Sequence, residues 1–385
     1  MGEESNPLSL GRVGVGDATA SPTAALLLSV VQDSMGRIAT ILFAHKFGTS
    51  LEPEAKTYRL AADVFNDTAM ILDCLSPAFP KLVRVLILSS SSVLRALCGV
   101  AAGSSKASLS AHFAKWGNLG ELNAKDSSQE TVISLMGMLA GSLVVSWVSS
   151  PLATWSTLLL LLLVHLATNH AAVRAVSMRT LNRQRASLVF SHLIEDDEIL
   201  TPEEVSKKER IFDWDGVVRW KGDQVIGHVN IGVKLQELLQ CLEPARHGKA
   251  NSTQLHVVHM TELLDIHGDE DYVLWMNHLT KRACVVLKQG CTPRSQLKAW
   301  ACAIGMLHDA SSLIVDREKT LGQVLQQTLD EDRPTAIVQL LAFLEITDQK
   351  FDGWISRLKQ AGWDLDVAAL ETHSGSRLAR DEMSA

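Results

Sequence analysis

The hydrophobic pattern is most decisive between Thr131 and Val173, where the chain runs without one Asp, Glu, Lys or Arg and pauses only at Ser149-Ser150-Pro151. It predicts a helical hairpin. Its first arm, Val132 to Val148, would rise about 25 Å and its second, Leu152 to Val173, about 33 Å, against a hydrocarbon core of roughly 30 Å. Pro151 lacks the N–H needed to continue the first arm but suits the first turn of the second, with Ser149 or Ser150 as cap. Both arms are expected to cross a bilayer; two buried helices at the centre of a large soluble domain are the alternative.

Three further apolar stretches precede the hairpin. Ala24 to Phe47 surrounds Asp33 and Arg37, which are spaced i,i+4 and share one helical face. They read either as a surface pair or as an intramembrane pair that fixes helix packing. Glu54 to Leu75, bounded by Pro53 and Pro77, carries Arg59, Asp63, Asn66, Asp67 and Met70 on one stripe. That stripe is a solvated face if it meets water, and a polar cavity lining able to contact a solute if the helix packs beside the hairpin. Leu82 to Gly103 is a weaker span because Arg84 and Arg95 interrupt it. A polar connection then leads into the hairpin, with Asn123, Lys125, Asp126, Gln129 and Glu130 forming a second candidate motif; Ser127 and Glu130 fit a capping box. Residues 100–111 echo residues 13–24 in their small-residue pattern, a candidate internal repeat.

After Arg185 the hydropathy falls. Residues 186–212, charged and containing Pro202, read as a linker or exposed helix. Val217 to Trp220 and Val225 to Val233 flank Gly222-Asp223 as a strand pair, and Val285 to Leu287 is another short strand. Thr292-Pro293 starts a helix to about His308 whose Leu297, Trp300, Ala301, Ile304 and Leu307 form one apolar face. Ile337 to Leu344 and Phe351 to Ala361 complete the unit. The expected fold is mainly α: a membrane-associated helical bundle over residues 1–185, a linker over 186–212, and a small α+β domain over 213–385.

Composition sharpens this picture at a few points. The chain has 385 residues, 46% of them hydrophobic, with a net charge of −7 and positive mean hydropathy. Arg174, Arg179, Arg183 and Arg185 follow the second arm with no acidic residue until Glu195, which places the C-terminal domain on the cytosolic or equivalent side. No basic stripe supports nucleic-acid binding. Six cysteines lack zinc or disulfide spacing, and His256, His259, His267 and His278 lack companion ligands, so no metal is expected. Gly14, Val15 and Gly16 miss the third glycine of a dinucleotide loop. With no triad, phosphate loop or cofactor-binding lysine, neither catalytic residues nor a cofactor are expected, and the chain reads as non-enzymatic.

Five segments carry a family resemblance: VGVGDATASP, DSMGRIATILFA, AKTYRLAADVFNDTAMILD, NAKDSSQET and HLATNHAAVRAVSMRTLNRQR. Together, and more loosely with YVLWMNH, VVLKQGCTPRSQLKAW and AGWDLDVAALE, they resemble the root UV-B sensitive (RUS) family. The resemblance implies a role like that of proteins tied to UV-B tolerance, vitamin B6 homeostasis and auxin transport, with the membrane and another family member, or a second copy, as partners. It brings no catalytic residues. Members of the family begin with a further helix or two before the VGVGD motif, so the N-terminus is expected to be shortened here. A regulatory or interaction protein is the first functional reading; a carrier of a small, B6-like solute using the Asp/Asn stripe is the alternative.

Overall fold

The computed structural model of the chain describes residues 22–115, 117–213, 216–242, 260–312, 335–371 and 377–379. The chain divides into two units, residues 1–176 and 177–385. His256, His259 and most of the earlier copy of the candidate repeat lie outside the described residues.

The first unit is helical throughout: α1 (Pro22–Leu51), α2 (Ala55–Leu75), a 3₁₀ turn (Ser76–Ala78), α3 (Lys81–Phe113), α4 (Leu119–Trp147) and α5 (Pro151–Ala175). α3 packs against both α1 and α2, and α2 also meets α5. At the α1–α3 crossing a Cβ on Gly36 would sit 3.5 Å from Ala96 and Ser92, so a small residue lets the helices approach. Ser91 Oγ donates to the Ala69 carbonyl at 3.1 Å and ties α3 to α2. The two arginines that weakened α3 as a span are both employed. The Arg84 guanidinium donates to the carbonyls of Ser76, Pro77 and Phe79 at 3.3, 3.1 and 3.2 Å, satisfying groups left over by the turn. Arg95 is ion-paired with Asp73 of α2.

The two arms of the predicted hairpin form as helices, with Ser150 Oγ accepting from the Ala153 N–H at 3.2 Å and Pro151 in the first turn of the second, but they do not pack extensively on each other. Its first arm begins earlier than the Ser127–Glu130 capping box implies. Gly117, at φ +76°, turns the chain, Asn118 precedes the first helical residue, and Glu121 adds a favourable charge near the N-terminus of α4. Ser127 is therefore inside the helix, where its carbonyl accepts from Thr131 Oγ1 at 2.9 Å. No residue of α4 is buried, although Val132 to Val148 is almost wholly apolar. α3, α4 and α5 are each long and apolar enough to cross a membrane.

The second unit begins before the expected boundary. Residues 186–212 are not a linker: α6 (Arg183–Asp196) contributes Leu188, Val189, Phe190 and Leu193 to the hydrophobic core. α7 (Pro202–Lys208) is fixed by a complete capping box between Thr201 and Glu204. The charged surface of this segment concealed its apolar face. Arg185 is itself buried and paired with Glu209 at 3.4 Å, so one of the four arginines in the orienting cluster serves the core instead.

Around α6 lie β1 (Val217–Trp220), β2 (Gln224–Ile231), α8 (Leu235–Leu242), α9 (Met260–Ile266), β3 (Tyr272–Asn277), β4 (Arg282–Leu287), α10 (Pro293–Ser312) and α11 (Thr335–Gln360). The sheet order is β1-β2-β4-β3; β2 and β4 run parallel and the outer pairs antiparallel. α10 packs on β2 and β3 through its predicted face, all five residues of which are buried, with Trp300 at 0% exposure. The two helices read at Ile337 and Phe351 are one, α11, because Glu345 to Lys350 is polar yet contains no Pro or Gly to break it.

His267, fully buried at the end of α9, is held by the backbone on both sides. Its Nδ1–H donates to the Leu263 carbonyl at 2.9 Å while Nε2 accepts from the Leu274 N–H at 3.2 Å, a pattern only the neutral ring can make. Burial pushes its pKa down to about 4, with the Lys288 charge acting in the same direction. Between pH 6.5, the ordinary value, and about 4, the unfolded chain binds a proton that the folded chain refuses, so stability falls as pH drops through that window. The contribution is about 3 kcal/mol once both states are compared below pH 4. Urea unfolding at pH 7 and pH 5 reads about 2 kcal/mol of it, and the slope should shrink in His267→Gln. An equal slope in that variant would place the acid sensitivity elsewhere.

Candidate functional site

On α2, Arg59, Asp63 and Asp67 succeed one another at four-residue intervals and form a polar row of roughly 12 Å. The two carboxylates are buried, with Asp63 at 6% and Asp67 at 3% exposure. Arg59 Nη1 stands 3.6 Å from Asp63 Oδ1, a loose pair whose cation is partly exposed. Asp67 Oδ2 lies 3.0 Å from Nδ1 of His165 on α5, whose side chain is 41% exposed. Each aspartate is thus satisfied through one oxygen only. Asp63 Oδ2 and Asp67 Oδ1 are buried and have no hydrogen-bond partner among the described residues.

The neighbours come from three helices. Ala62 and Ala69, both fully buried on α2, leave room for close packing around the row. Cys98 of α3 lies near enough to feel the charges of Asp63, Arg59 and Asp67. Asn66, half-buried, donates to Met70 Sδ at 3.7 Å, so it satisfies its amide along α2 rather than beside the carboxylates. Nothing in the sequence pairs Asp67 with a residue 98 positions away. The available signal was an imidazole within a stretch free of Asp, Glu, Lys and Arg, beside a helix with two carboxylates to satisfy.

The remaining predicted residues do other things. Asp33 and Arg37 are exposed on α1 and do not join the cluster. On α4, Asp126 and Glu130 both bind Lys106 of α3, at 2.8 and 2.7 Å, while Lys125 pairs with Glu121 within the helix. Asn123 is half-buried and Gln129 exposed. That motif therefore links two helices by ion pairs, each partly exposed and worth little individually.

Among the described residues no group of three or more ligating side chains is placed to hold a metal ion. In the C-terminal unit a cleft of about 270 Å³ is lined by Glu270, Asp271, Ser295, Lys298, Asp348 and Phe351. Its charges answer each other: Lys298 pairs with Glu270 and Asp348, and Ser295 Oγ donates to Asp271 at 2.8 Å. Burial pushes the Cys291 and Cys302 thiols up to about 12, which removes them as nucleophiles at neutral pH.

Comparison with known proteins covers both units. A family described as "Vitamin B6 photo-protection and homoeostasis domain" matches residues 5–197, and "Root UVB sensitive protein, C-terminal" matches residues 198–374. Protein root UVB sensitive 3 of Arabidopsis thaliana is 31% identical over 301 residues, 77% of this chain and 64% of that protein. RUS family member 1 of Dictyostelium discoideum is 38% identical over 203 residues, 52% of this chain and 38% of that protein. The chain thus spans less than two thirds of the length of these two relatives. Protein root UVB sensitive 2, chloroplastic, of Arabidopsis thaliana is 22% identical over 351 residues, covering 90% of this chain and 70% of that protein. No solved structure matches the chain.

Proposed function

The chain belongs to the root UVB sensitive family, and from that premise we propose that it is a non-enzymatic membrane protein of vitamin B6 homeostasis, embedded through its helical unit and acting on a partner through its C-terminal unit. The observation that carries the reading is the exposure of α4. A 29-residue helix carrying Val132, Ile133, Leu135, Met136, Leu139 and Leu143, each more than half exposed, has no buried residue. In water such a contiguous apolar surface is unfavourable at about 25 cal/mol per Å². In a bilayer it is at rest, and the length suffices. The C-terminal unit has its own core and its own sheet, which suits a regulatory or interaction module whose partner is another member of the family or a second copy.

Alkaline carbonate extraction tests the embedding. Full-length protein should stay in the membrane pellet, and a fragment of residues 177–385 should appear in the supernatant. Quantitative release of the full chain would return the hairpin to the interior of a soluble assembly.

The two half-satisfied aspartates favour a second reading, a carrier of a small solute. Ionisable groups inside a membrane unit are costly, and they persist where they contact an ion or a cargo. A scaffold alone has no use for unpartnered carboxylate oxygens at 6% and 3% exposure.

A further inference from the structure

We propose that Asp63, Asp67 and His165 form a proton-binding site in the helical unit, in which a proton passes between His165 and Asp67. The inference takes its purpose from the carrier reading above and its existence from side-chain geometry. Two carboxylates one helical turn apart share a buried row with a single cation, Arg59, at 3.6 Å from Asp63. Both carry an oxygen that no donor reaches. A buried charge without adequate partners costs several kcal/mol, and the ordinary escape is to take up a proton. Two interacting carboxylates then titrate as a pair, and the uptake of one proton relieves both.

A metal ion is a poor alternative. Two free oxygens are far short of the six to eight that a calcium-like ion gathers, and among the described residues no group of three or more ligating side chains is placed to hold a metal ion. A proton needs an acceptor and a neighbouring donor. His165 supplies the donor, because its Nδ1 contacts Asp67 Oδ2 at 3.0 Å. In the loading step the Nδ1–H bond of the imidazolium breaks and an O–H bond forms on Asp67. The ring is left neutral with its Nε2–H, the carboxyl becomes neutral, and the total charge is unchanged. Unloading is the reverse. The groups that set the balance are Arg59 and Asp63 on α2, Cys98 on α3 with the Arg95–Asp73 pair beyond it, and His165 on α5.

The test is infrared spectroscopy of the full-length protein in lipid nanodiscs at pH 7, in H₂O and D₂O. The wild type should show a carboxylic-acid C=O stretch that moves on deuteration. Asp67→Asn should remove most of it and the Asp63→Asn/Asp67→Asn pair all of it, because asparagine keeps the shape but holds no acid proton. His165→Asn should keep an acid band but move its frequency, because the Nδ1 contact to Asp67 is lost. No acid band in the wild type, or a band that survives the double variant, overturns the site; the wild-type spectrum decides even if a variant fails to fold. Liposome uptake of pyridoxamine separates the two ideas. A band without uptake removes the carrier reading and leaves the proton site, whereas uptake without a band removes the proton site alone.

Discussion

Trp300→Asp should leave the C-terminal unit unfolded. Trp300 sits at 0% exposure in the middle of α10, and its indole Nε1–H donates to Ser187 Oγ of α6 at 3.3 Å, so it joins the helix that covers the sheet to the helix that opens the unit. Truncating a buried tryptophan to alanine costs about 3–5 kcal/mol. Aspartate adds an unpaired charge in the same space, at several kcal/mol more. The sum meets or exceeds the roughly 5–15 kcal/mol that holds a domain together. Leu239→Asp, on the exposed side of α8 at 43% exposure, should change stability by less than about 1 kcal/mol. Limited proteolysis of full-length protein distinguishes the two, and a Trp300→Asp chain that keeps a protected fragment of residues 177–385 would show the core to be far more forgiving than its burial implies.

The second large effect lies in the Arg185–Glu209 pair, whose side chains are 2% and 4% exposed at a separation of 3.4 Å. Arg185→Met should cost about 3–5 kcal/mol, because it removes the cation 3.4 Å from the buried Glu209 carboxylate. Changing both together, Arg185→Met with Glu209→Leu, should recover much of that loss, since replacing an ion pair by apolar groups of similar volume is often close to neutral. A double-mutant cycle in urea reads the coupling directly. Additive losses would mean that the two residues are held by their other neighbours and not by each other.

Much of the architecture could be read from local patterns. The helices α4 and α5 declared themselves through an uninterrupted apolar run and a proline at the right place, and α10 through five apolar residues at helical spacing. β1 and β2 followed from a Gly-Asp turn between apolar runs. What could not be read depended on distant partners. α6 looked like a linker because Arg183, Arg185 and the acidic run after Ile194 outweigh its buried Leu188-Val189-Phe190, and only the sheet it packs on makes that face a core face. β3, buried along nearly its whole length, lacks the alternation that marks a half-exposed strand. In the candidate site the row of Arg59, Asp63 and Asp67 followed from four-residue spacing, whereas its imidazole arrives from another helix. Asn66, on the same stripe, turned along the helix instead, because side-chain direction as well as sequence spacing decides which groups meet.

The strand order also has a temporal side. β1 and β2 are neighbours joined by a tight turn and can pair as soon as both have been made. β4, which lies between β2 and β3, must instead find a parallel partner whose last residue, Ile231, precedes its own first, Arg282, by fifty-one positions. Such pairings are slow, because the chain is ordered before the contacts repay it. During synthesis the helical unit has therefore left the ribosome, and the first hairpin has closed, while the second of the two inner strands, β4, does not yet exist. Until residue 287 emerges, the edge of β2 that β4 will cover stays open to pairing with other polypeptides.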